Sequence, residues 1–451
     1  MDMMQTAAAA ASKKKYDELV ELDKKHFLHP TSSIQQQQER GPAFIFTEGE
    51  GIYLKDINGH TVIDGFSSLW NVNIGHGREE LGKAAMEQMT TLGFSSSFAT
   101  FSHEPAIRLA AKIAEITPGS LNTIFFTSGG SESNDTAFKL VRHYWKLKGQ
   151  PEKKKVISRT RSYHGVAMGA TSATGLRPFR DFSTSPAPDF LYVDHFSTEA
   201  LRKLIEEEGP ETIAAFISEP VQGTGGVILA PEDYFKEVRN ICDEYNILFI
   251  ADEVITGFGR TGKYFGMEHY GVIPDMMSVA KGITSGYVPL GGVILSEKMH
   301  QELCQLSTGM FLHGYTYSGH PTACAVALKN IEIIERENLI ENARVMGEEM
   351  LQGFQWLKQE HDIIGEVRGL GLMGAIEIVK DRTTNERFAE PVTPMLVSEL
   401  MTRGLICRGV TYEGADTLVF APPLIINKQQ VNKMVELIHE ALLAVEKKPL
   451  V

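Results

Sequence analysis

Between about residues 105 and 295 the chain alternates short β-rich runs with segments whose apolar residues recur at helical spacing. The runs are LNTIFFTS, KKVISRT, TIAAFISEPV, ILFIADEV and MMSVA. Strands that are apolar on both faces suit a parallel sheet covered by helices, because each helix forms the crossover to the next strand. The alternation predicts an α/β fold with a mostly parallel sheet sandwiched by helices.

The two ends of the chain differ from this central region. At 451 residues the chain is longer than one compact domain needs. Near the N-terminus, Asn58-Gly59 lies between two short β-rich runs and predicts a hairpin with a type I′ turn. We predict an N-terminal segment over residues 1–65, a large domain over 66–325 and a small α+β domain over 326–451.

The composition argues against several classes of function. A formal net charge of -13 disfavours a nucleic-acid surface and favours a protein whose partners are small molecules. The four cysteines form no CxxC pair, so we expect neither a disulfide framework nor a metal site. The sequence has no apolar run of about 18 residues and no signal-peptide pattern. We therefore expect a cytoplasmic protein that does not bind membranes.

In open parallel sheets ligands bind at the carboxyl ends of the strands, so the residues that close each run are candidates for a site. TSGGSESND follows the run LNTIFF and precedes a helix. Its small residues let backbone N–H groups approach an anion at the positive end of the helix dipole. Gly130 and Ser131 are candidates for a phosphate site, and a plain turn with Ser131 as N-cap is the structural alternative.

Two carboxylates close further runs, Glu219 in TIAAFISE and Asp252 in ILFIAD. For Glu219 a plain turn residue is the structural alternative, whereas the charge of Asp252 at the end of a buried run needs a cationic partner or several hydrogen-bond donors. Residues 257–262 then match G-x-G-x-x-G, the dinucleotide-binding pattern. A dinucleotide site needs a helix directly afterwards, and KYFGMEHYG makes a poor helix, so we interpret this match as accidental.

Lys281 lies at the end of another short apolar run, in MMSVAKG. Burying an unpaired ammonium is costly, so such a lysine loses its proton, finds a partner or does chemistry. A lone lysine commonly extends its amine to solvent, which is the structural alternative. A neutral lysine amine in a desolvated pocket is what Schiff-base chemistry needs.

Taken together, these residues match the needs of one cofactor. Pyridoxal phosphate (PLP) requires a phosphate anchor, a carboxylate for its pyridine nitrogen and a lysine for its aldehyde. Gly130 and Ser131 can supply the first, Asp252 the second and Lys281 the third. We therefore predict a PLP site in which Lys281 holds the cofactor aldehyde as an imine.

Seven specific motifs occur between about residue 40 and the C-terminus: GFSSLWNVNIGHG, TSGGSESND, SYHG, ISEPVQGTGG, IADEVITGFGRTGKYFGMEH, SVAKGITSGYVPLGGV and HGYTYSGHP. In these motifs the sequence resembles the class III aminotransferases, PLP enzymes of fold type I. Within that class it is most similar to the ω-amino acid and amine:pyruvate transaminases. The resemblance implies a large PLP-binding domain and a smaller α+β domain built from both termini.

The resemblance also implies a role for each candidate residue. Lys281 would form the Schiff base and then move a proton between the substrate carbon and the cofactor carbon as general base and acid. Asp252 would keep the pyridine nitrogen protonated, with Glu219 also at the cofactor. Tyr163 would stack on one face of the ring and Val254 on the other; for Tyr163 a core aromatic is the structural alternative.

The phosphate site is expected to be shared between subunits. Gly130 and Ser131 would bind the phosphate from one subunit, and Thr316 would reach it from the neighbouring subunit. The family pattern therefore implies a homodimer with shared active sites, with a tetramer as the alternative.

Two positions depart from the subgroups that act on ornithine, acetylornithine or 4-aminobutyrate. Those subgroups carry a glutamate where this chain has Thr224 and a glutamine where it has Ile255, so pyruvate and alanine are favoured over 2-oxoglutarate and glutamate. Arg408 aligns with the mobile arginine of the amine:pyruvate enzymes and would bind a carboxylate bidentately; a surface arginine is the alternative. Trp70 and Phe98 would form the apolar part of the pocket, or belong to the core.

The predicted reaction moves an amino group from an ω-amino acid or amine to pyruvate by a ping-pong mechanism. A diaminopelargonate-forming aminotransferase of biotin synthesis is the alternative within the same chemistry, although that subgroup tends to carry paired tryptophans where this chain has Leu69-Trp70. A class III decarboxylase or aminomutase would keep the same lysine and aspartate. An NAD-binding oxidoreductase rests only on the glycine match, and a non-enzymatic binding protein has no need of the lysine. The amine donor stays open.

Overall fold

The computed structural model describes residues 2–450, with side chains from residue 13 onward. The N-terminal part contains two helices and an antiparallel set of three strands. In chain order these elements are α1 (Asp2–His26), α2 (Ile34–Arg40), β1 (Phe46–Glu50), β2 (Tyr53–Asp56) and β3 (Thr61–Asp64).

The predicted hairpin joins β2 to β3, but the prediction of a type I′ turn is wrong. That turn needs positive φ at both central residues, and only Gly59 has it, with φ of 87°. The side chain of Asp56 explains the difference, because its Oδ1 accepts the N–H groups of Asn58 (2.9 Å) and His60 (2.8 Å). These bonds stabilise a longer loop than a two-residue turn.

The central region carries the largest sheet of the described chain. Its elements are α3 (Ser67–Trp70), α4 (Glu79–Thr91), α5 (Glu104–Ile116), β4 (Leu121–Thr127), α6 (Gly130–Leu147), β5 (Lys155–Arg159), α7 (Met168–Ala173), α8 (Arg177–Arg180), β6 (Phe190–Val193), α9 (Thr198–Glu208), β7 (Ile213–Ser218), β8 (Val221–Gln222), β9 (Ile228–Leu229), α10 (Tyr234–Glu244), β10 (Leu248–Asp252), β11 (Met276–Val279), β12 (Gly291–Ser296) and α11 (Glu297–Leu306).

The seven strands of this sheet have the order β4-β12-β11-β10-β7-β5-β6. The neighbours from β11 to β6 are all parallel, whereas β12 pairs antiparallel with both β11 and β4. The sheet is therefore mostly parallel, as predicted. The sequence analysis did not identify β12. Its connection to β11 has no α-helix, so it returns as an antiparallel neighbour rather than as a crossover.

Helices cover both faces of this sheet. Alternate residues of β7 and β10 point to opposite faces. Ile217 and Ile250 pack against α6 in one apolar cluster, and Phe216 and Phe249 pack against α10 in another. This three-layer packing keeps the middle strands buried along their whole length, so polar side chains cluster where the strands end.

The C-terminal part contains α12 (Pro321–Arg336), α13 (Leu339–Glu360), β13 (Ile364–Gly369), β14 (Gly374–Ile378), α14 (Thr393–Thr402), β15 (Leu405–Ile406), β16 (Arg408–Val410), β17 (Thr417–Phe420) and α15 (Lys428–Glu446). An antiparallel sheet has the order β13-β14-β17-β16. β15 pairs in parallel with β3, which joins the C-terminal part to the N-terminal strands. The smaller unit thus combines both ends of the chain, and the boundaries at residues 65 and 325 stay a prediction. Within residues 2–450 no helix is both long and apolar enough to span a membrane.

Candidate active site

A cavity lies at the carboxyl ends of β7, β10 and β11, on the edge of the sheet where the sequence predicts a site. It is lined by these predicted site residues: Gly130, Ser131, Tyr163, Glu219, Asp252, Val254 and Lys281. The rest of the lining consists of Asn134, His164, Gly165 and Ile255. The fold therefore brings together the three predicted functional groups, which are a helix N-terminus, a carboxylate and a lysine.

The N-terminus of α6 forms one wall of the cavity. Gly129 is the N-cap and Ser131 is not, so the capped-turn alternative for Ser131 is wrong. The Ser131 Oγ instead accepts the N–H of Val166 at 3.0 Å. A Cβ atom at Gly130 would lie 2.8 Å from a methyl group of Val254, so a side chain at this position would displace Val254. Glycine therefore leaves the backbone N–H groups at the start of α6 accessible to an anion.

Asp252 closes β10 and is 4 % exposed. Its Oδ2 accepts hydrogen bonds from Asn134 Nδ2 and His164 Nδ1, both at 2.8 Å, and its Oδ1 accepts the Val254 N–H at 3.1 Å. Three donors compensate the charge of a buried carboxylate, so Asp252 can stay ionised in the protein interior.

Lys281 follows β11 and has a left-handed backbone, with φ of 45°. Such a conformation is strained for a residue with a side chain and is common at functional sites. Burial lowers the pKa of Lys281 to about 8, although the charges of Asp252 and Glu219 act in the opposite direction. Within the described chain its amine makes no hydrogen bond and no ion pair. This amine is consequently easier to deprotonate than that of an exposed lysine.

Glu219 joins two loops that border the cavity. Its Oε1 accepts the N–H of Tyr163 at 2.9 Å and its Oε2 accepts the N–H of Gly223 at 3.2 Å. Burial raises the pKa of Glu219 to about 7 and also raises the pKa of the Tyr163 hydroxyl. The Tyr163 ring makes an edge contact with Phe179, with the ring centroids 5.1 Å apart. These contacts fix the aromatic side chain at the cavity wall.

Arg408 lies on β16 and does not line the cavity directly. Its positive charge nevertheless acts on two groups of the cavity. It helps to lower the pKa of Lys281, and it partly opposes burial, which raises the pKa of Tyr163. Among residues 13–450 the guanidinium has no hydrogen-bond or ion-pair partner. The charge of this unpaired guanidinium therefore acts on the lysine amine.

Three further predicted site residues, Trp70, Phe98 and Thr316, do not line the cavity. Trp70 is 2 % exposed and packs against the Phe66 ring at 4.8 Å, in an apolar cluster that also contains Ile255. Phe98 is half exposed, and Thr316 is exposed on a loop after α11. The roles of these three residues stay predictions.

Asn134 and His164 are the residues that the sequence analysis missed. Both occur in motifs that it quoted, SESND and SYHG. They lie 118 and 88 residues from Asp252 in the chain, so their contact with it depends on the packing of α6 and of the SYHG loop against β10. Polarity in a motif beside a predicted site was the available signal, but the partner could not be read from spacing.

The glycine match after β10 does not form a dinucleotide site. Residues 266–269 form a short 3₁₀ turn, and no α-helix begins between Asp252 and β11. A pyrophosphate therefore has no helix N-terminus to bind there, as the sequence analysis expected.

Residues 34–442 match the family Aminotransferase class-III. The protein is a class-III aminotransferase. This aminotransferase is 43% identical over 439 residues to putrescine–pyruvate aminotransferase from Pseudomonas aeruginosa, across 93% of this chain and 95% of that protein. It is also 57% identical to a transaminase of known structure from the marine bacterium Virgibacillus, with a TM-score of 0.94 over 95% of this chain and 99% of that one.

A third relative bears on the cofactor. The ω-transaminase from Pseudomonas jessenii, solved in complex with PMP, is 38% identical with a TM-score of 0.91, over 95% of this chain and 98% of that one. The fold-type and PLP predictions are thereby confirmed at the level of the family. The cavity of this aminotransferase fits the cofactor, because it offers a lysine amine without a partner, a buried carboxylate and an accessible helix N-terminus.

Proposed function

We propose that this aminotransferase moves the amino group of an amine or ω-amino acid to pyruvate, giving alanine. The observation that carries the proposal is the free guanidinium of Arg408, whose charge acts on Lys281. The Arg408 guanidinium can bind the carboxylate of a keto acid bidentately, and the carbonyl carbon of the keto acid then lies towards Lys281.

The neighbouring residues support pyruvate over 2-oxoglutarate. Thr224 is buried and carries no charge, unlike the glutamate that the 2-oxoglutarate-using subgroups have at this position. Ile255 adds an apolar side chain to the cavity wall. The small methyl group of pyruvate suits an apolar wall, whereas the second carboxylate of 2-oxoglutarate needs a polar partner.

When bound, PLP supplies an electron-withdrawing ring that stabilises the negative charge formed as a substrate C–H bond breaks. Lys281 would hold the cofactor aldehyde, and its Nζ would take a proton from the substrate carbon and pass it to the cofactor carbon as general base and acid. Its lowered pKa suits this task, because the neutral amine is the proton acceptor.

The other cavity residues bind and orient. Asp252 would accept a hydrogen bond from the pyridine N–H and favour its protonated form. Tyr163 and Val254 would hold the ring between them, and Gly130 and Ser131 would bind the phosphate through backbone N–H groups at the start of α6. Together they exclude water from the reacting atoms.

We also propose that the protein is a homodimer in which Thr316 of the partner subunit completes the phosphate site. Thr316 is exposed in one chain. The loops around Phe98 and Thr316 also expose several large apolar side chains: Phe94 (46%), Phe98 (50%), Phe101 (68%), Met310 (80%), Leu312 (85%) and Tyr317 (60%). Apolar surface of this extent favours an interface between subunits.

Mixed dimers test the shared site. K281A and T316D each disable a homodimer, but a hybrid of the two subunits contains one site with both native residues if the site is shared. We expect the hybrid to recover roughly half of the wild-type activity, on the stoichiometry of one intact site in two. A hybrid as inactive as its parents, in a protein that sizes as a dimer, contradicts the shared site.

The diaminopelargonate alternative is not favoured, because the relatives reported above are a putrescine–pyruvate aminotransferase and transaminases that include an ω-transaminase. Because the Pseudomonas aeruginosa relative is a putrescine–pyruvate aminotransferase, putrescine is the first donor to test. The cytoplasmic location stays a prediction.

The half-reactions test the proposed function directly. The absorbance of the purified holoenzyme is recorded before and after L-alanine or L-glutamate is added without a keto acid. We expect the visible band to fade with alanine and to persist with glutamate, and putrescine with pyruvate to yield alanine. If the visible band fades with glutamate but not with alanine, pyruvate is not the acceptor.

A further inference from the structure

His164 lies beside the carboxylate that the proposed function places at the pyridine nitrogen, yet no step of that function uses it. We infer that His164 is a positioning residue whose neutral imidazole donates Nδ1–H to Asp252 Oδ2 and leaves Oδ1 to accept the cofactor's pyridine N–H. This inference rests on the proposed function, because it concerns the same site.

The geometry of the pair is that of a direct hydrogen bond inside the protein. The Nδ1–Oδ2 distance is 2.8 Å, and the side chains of His164 and Asp252 are 0% and 4% exposed. Bulk water therefore cannot substitute for this donor when the imidazole is removed.

The second ring nitrogen defines the protonation state of His164. Its Nε2 is buried and has no hydrogen-bond partner among residues 13–450. An imidazolium would bury an N–H group at Nε2 without an acceptor, and that arrangement costs free energy. The neutral tautomer with its proton on Nδ1 avoids this cost and leaves the full negative charge on Asp252.

Asn134 reinforces the same orientation. Its Nδ2 donates both to Asp252 Oδ2 at 2.8 Å and to the backbone carbonyl of His164 at 2.7 Å. Oδ2 therefore accepts two hydrogen bonds, while Oδ1 accepts only the Val254 N–H at 3.1 Å. Since each carboxylate oxygen has two acceptor positions, Oδ1 keeps one for the cofactor.

The backbone of the SYHG loop holds the imidazole in place. The His164 N–H donates to Thr174 Oγ1 at 2.9 Å, and the preceding N–H, that of Tyr163, donates to Glu219 Oε1 at 2.9 Å. The loop is thus fixed on both sides of the peptide that carries the ring. A residue so held can set the direction of the Asp252 carboxylate without touching the substrate.

Three variants separate this role from simple packing. H164L removes the donor and keeps an apolar side chain, while H164N keeps an N–H donor near the position of Nδ1. H361N is the matched control, because His361 also has a fully buried side chain and contacts a carboxylate, Glu446 Oε2 at 2.9 Å, in the C-terminal part of the chain.

The measured quantities are the PLP dissociation constant by fluorescence and the pH at which the bound-cofactor absorbance changes. We expect H164L to weaken PLP binding by about 10- to 100-fold, the range for a lost hydrogen bond to a charged group, and to shift the absorbance transition. H164N should bind PLP within about threefold of wild type, since one donor replaces another. H361N should change neither quantity.

The protonation state is tested on the wild-type holoenzyme, so that it does not depend on a variant that fails to fold. Nitrogen-15 NMR of labelled histidine should show a protonated Nδ1 and an unprotonated Nε2 for His164. Two protonated nitrogens overturn the inference, as does an H164L variant with wild-type PLP affinity and spectrum. If wild-type protein itself neither binds PLP nor converts alanine, the proposed function fails instead.

Discussion

Two lysines of this chain, the partly buried Lys281 and the buried Lys153, are desolvated in surroundings that differ in their hydrogen-bond partners. Burial lowers the pKa of each to about 8. The amine of Lys153 donates to the carbonyl oxygens of Tyr245 (3.4 Å) and Asn246 (2.7 Å), and it lies 4.5 Å from the centre of the Trp145 ring. The amine of Lys281 has no such partner in the described chain and borders the cavity.

The difference shows that burial alone does not mark a catalytic lysine. The ammonium group of Lys153 donates to the carbonyl groups of the two residues that follow α10, and it thereby caps the C-terminus of this helix. At Lys281 the desolvation is left uncompensated by hydrogen bonds, so the amine stays available to another group in the cavity. The partners of the amine, rather than its depth, separate a structural lysine from a reactive one.

The largest expected effect is on activity. K281A should lower kcat by at least about 1,000-fold, because it removes both the covalent attachment and the group that moves the proton. K153M should keep kcat within about threefold, since Lys153 lies outside the cavity. Steady-state alanine formation measures both. A K281A variant with near wild-type turnover contradicts the assignment.

The next effect concerns the free guanidinium beside Lys281. R408M should raise KM for pyruvate by about 100-fold, the loss expected for a bidentate carboxylate contact, and leave KM for the amine within about threefold. R403M is the control on the same segment, because Arg403 is already paired with Glu399 (2.9 Å) and Glu440 (3.0 Å). Equal changes in the two variants would show that Arg408 has no special role.

Stability should respond in opposite directions at the two lysines. In the apoprotein at pH 7, K153M should lower the free energy of unfolding by roughly 2 kcal/mol, because two carbonyl groups lose their donor and the Trp145 ring loses its cation. K281M should raise it by roughly 2 kcal/mol, because a desolvated charge is removed. Urea denaturation measures both. Destabilisation of similar size in the two variants would remove the distinction drawn here.

The smallest effect is a difference in pH dependence. The pKa of Lys281 is lowered from 10.5 in the unfolded chain to about 8 in the folded chain. Between these values the unfolded state binds the extra proton, so the stability of the apoprotein should rise with pH. Relative to K281M the gain between pH 8 and pH 10 should be about 2 kcal/mol or less. Urea titrations measure the free energy of unfolding of wild type and K281M at pH 8 and pH 10. If the pKa of Lys281 were unshifted, the difference between the two proteins would be the same at both pH values.

Much of this architecture could be predicted from the sequence because buried parallel strands are apolar on both faces and end in polar residues. LFIAD and MMSV are examples, and both lead directly to a cavity residue. The direction of β12 could not be predicted, because GGVILS is a short buried run like the parallel strands of the same sheet. Direction depends on the connecting segment rather than on the strand.

Contacts between distant segments were the other part that could not be predicted. The sequence identified Asp252 but not its donors Asn134 and His164, which depend on tertiary packing. Lys153 begins the run of three lysines at 153–155, a residue type that is rarely buried, yet it is 3% exposed in the fold. Local polarity cannot show which of three adjacent lysines contacts two carbonyl groups and an aromatic ring from distant segments.

The most direct measurement is the identity of the lysine that carries the cofactor. The holoenzyme is reduced with borohydride, digested, and the phosphopyridoxyl-labelled peptide is sequenced by mass spectrometry. The account predicts the label on Lys281 and an unmodified Lys153. A label on any other lysine, with Lys281 unmodified, would contradict it.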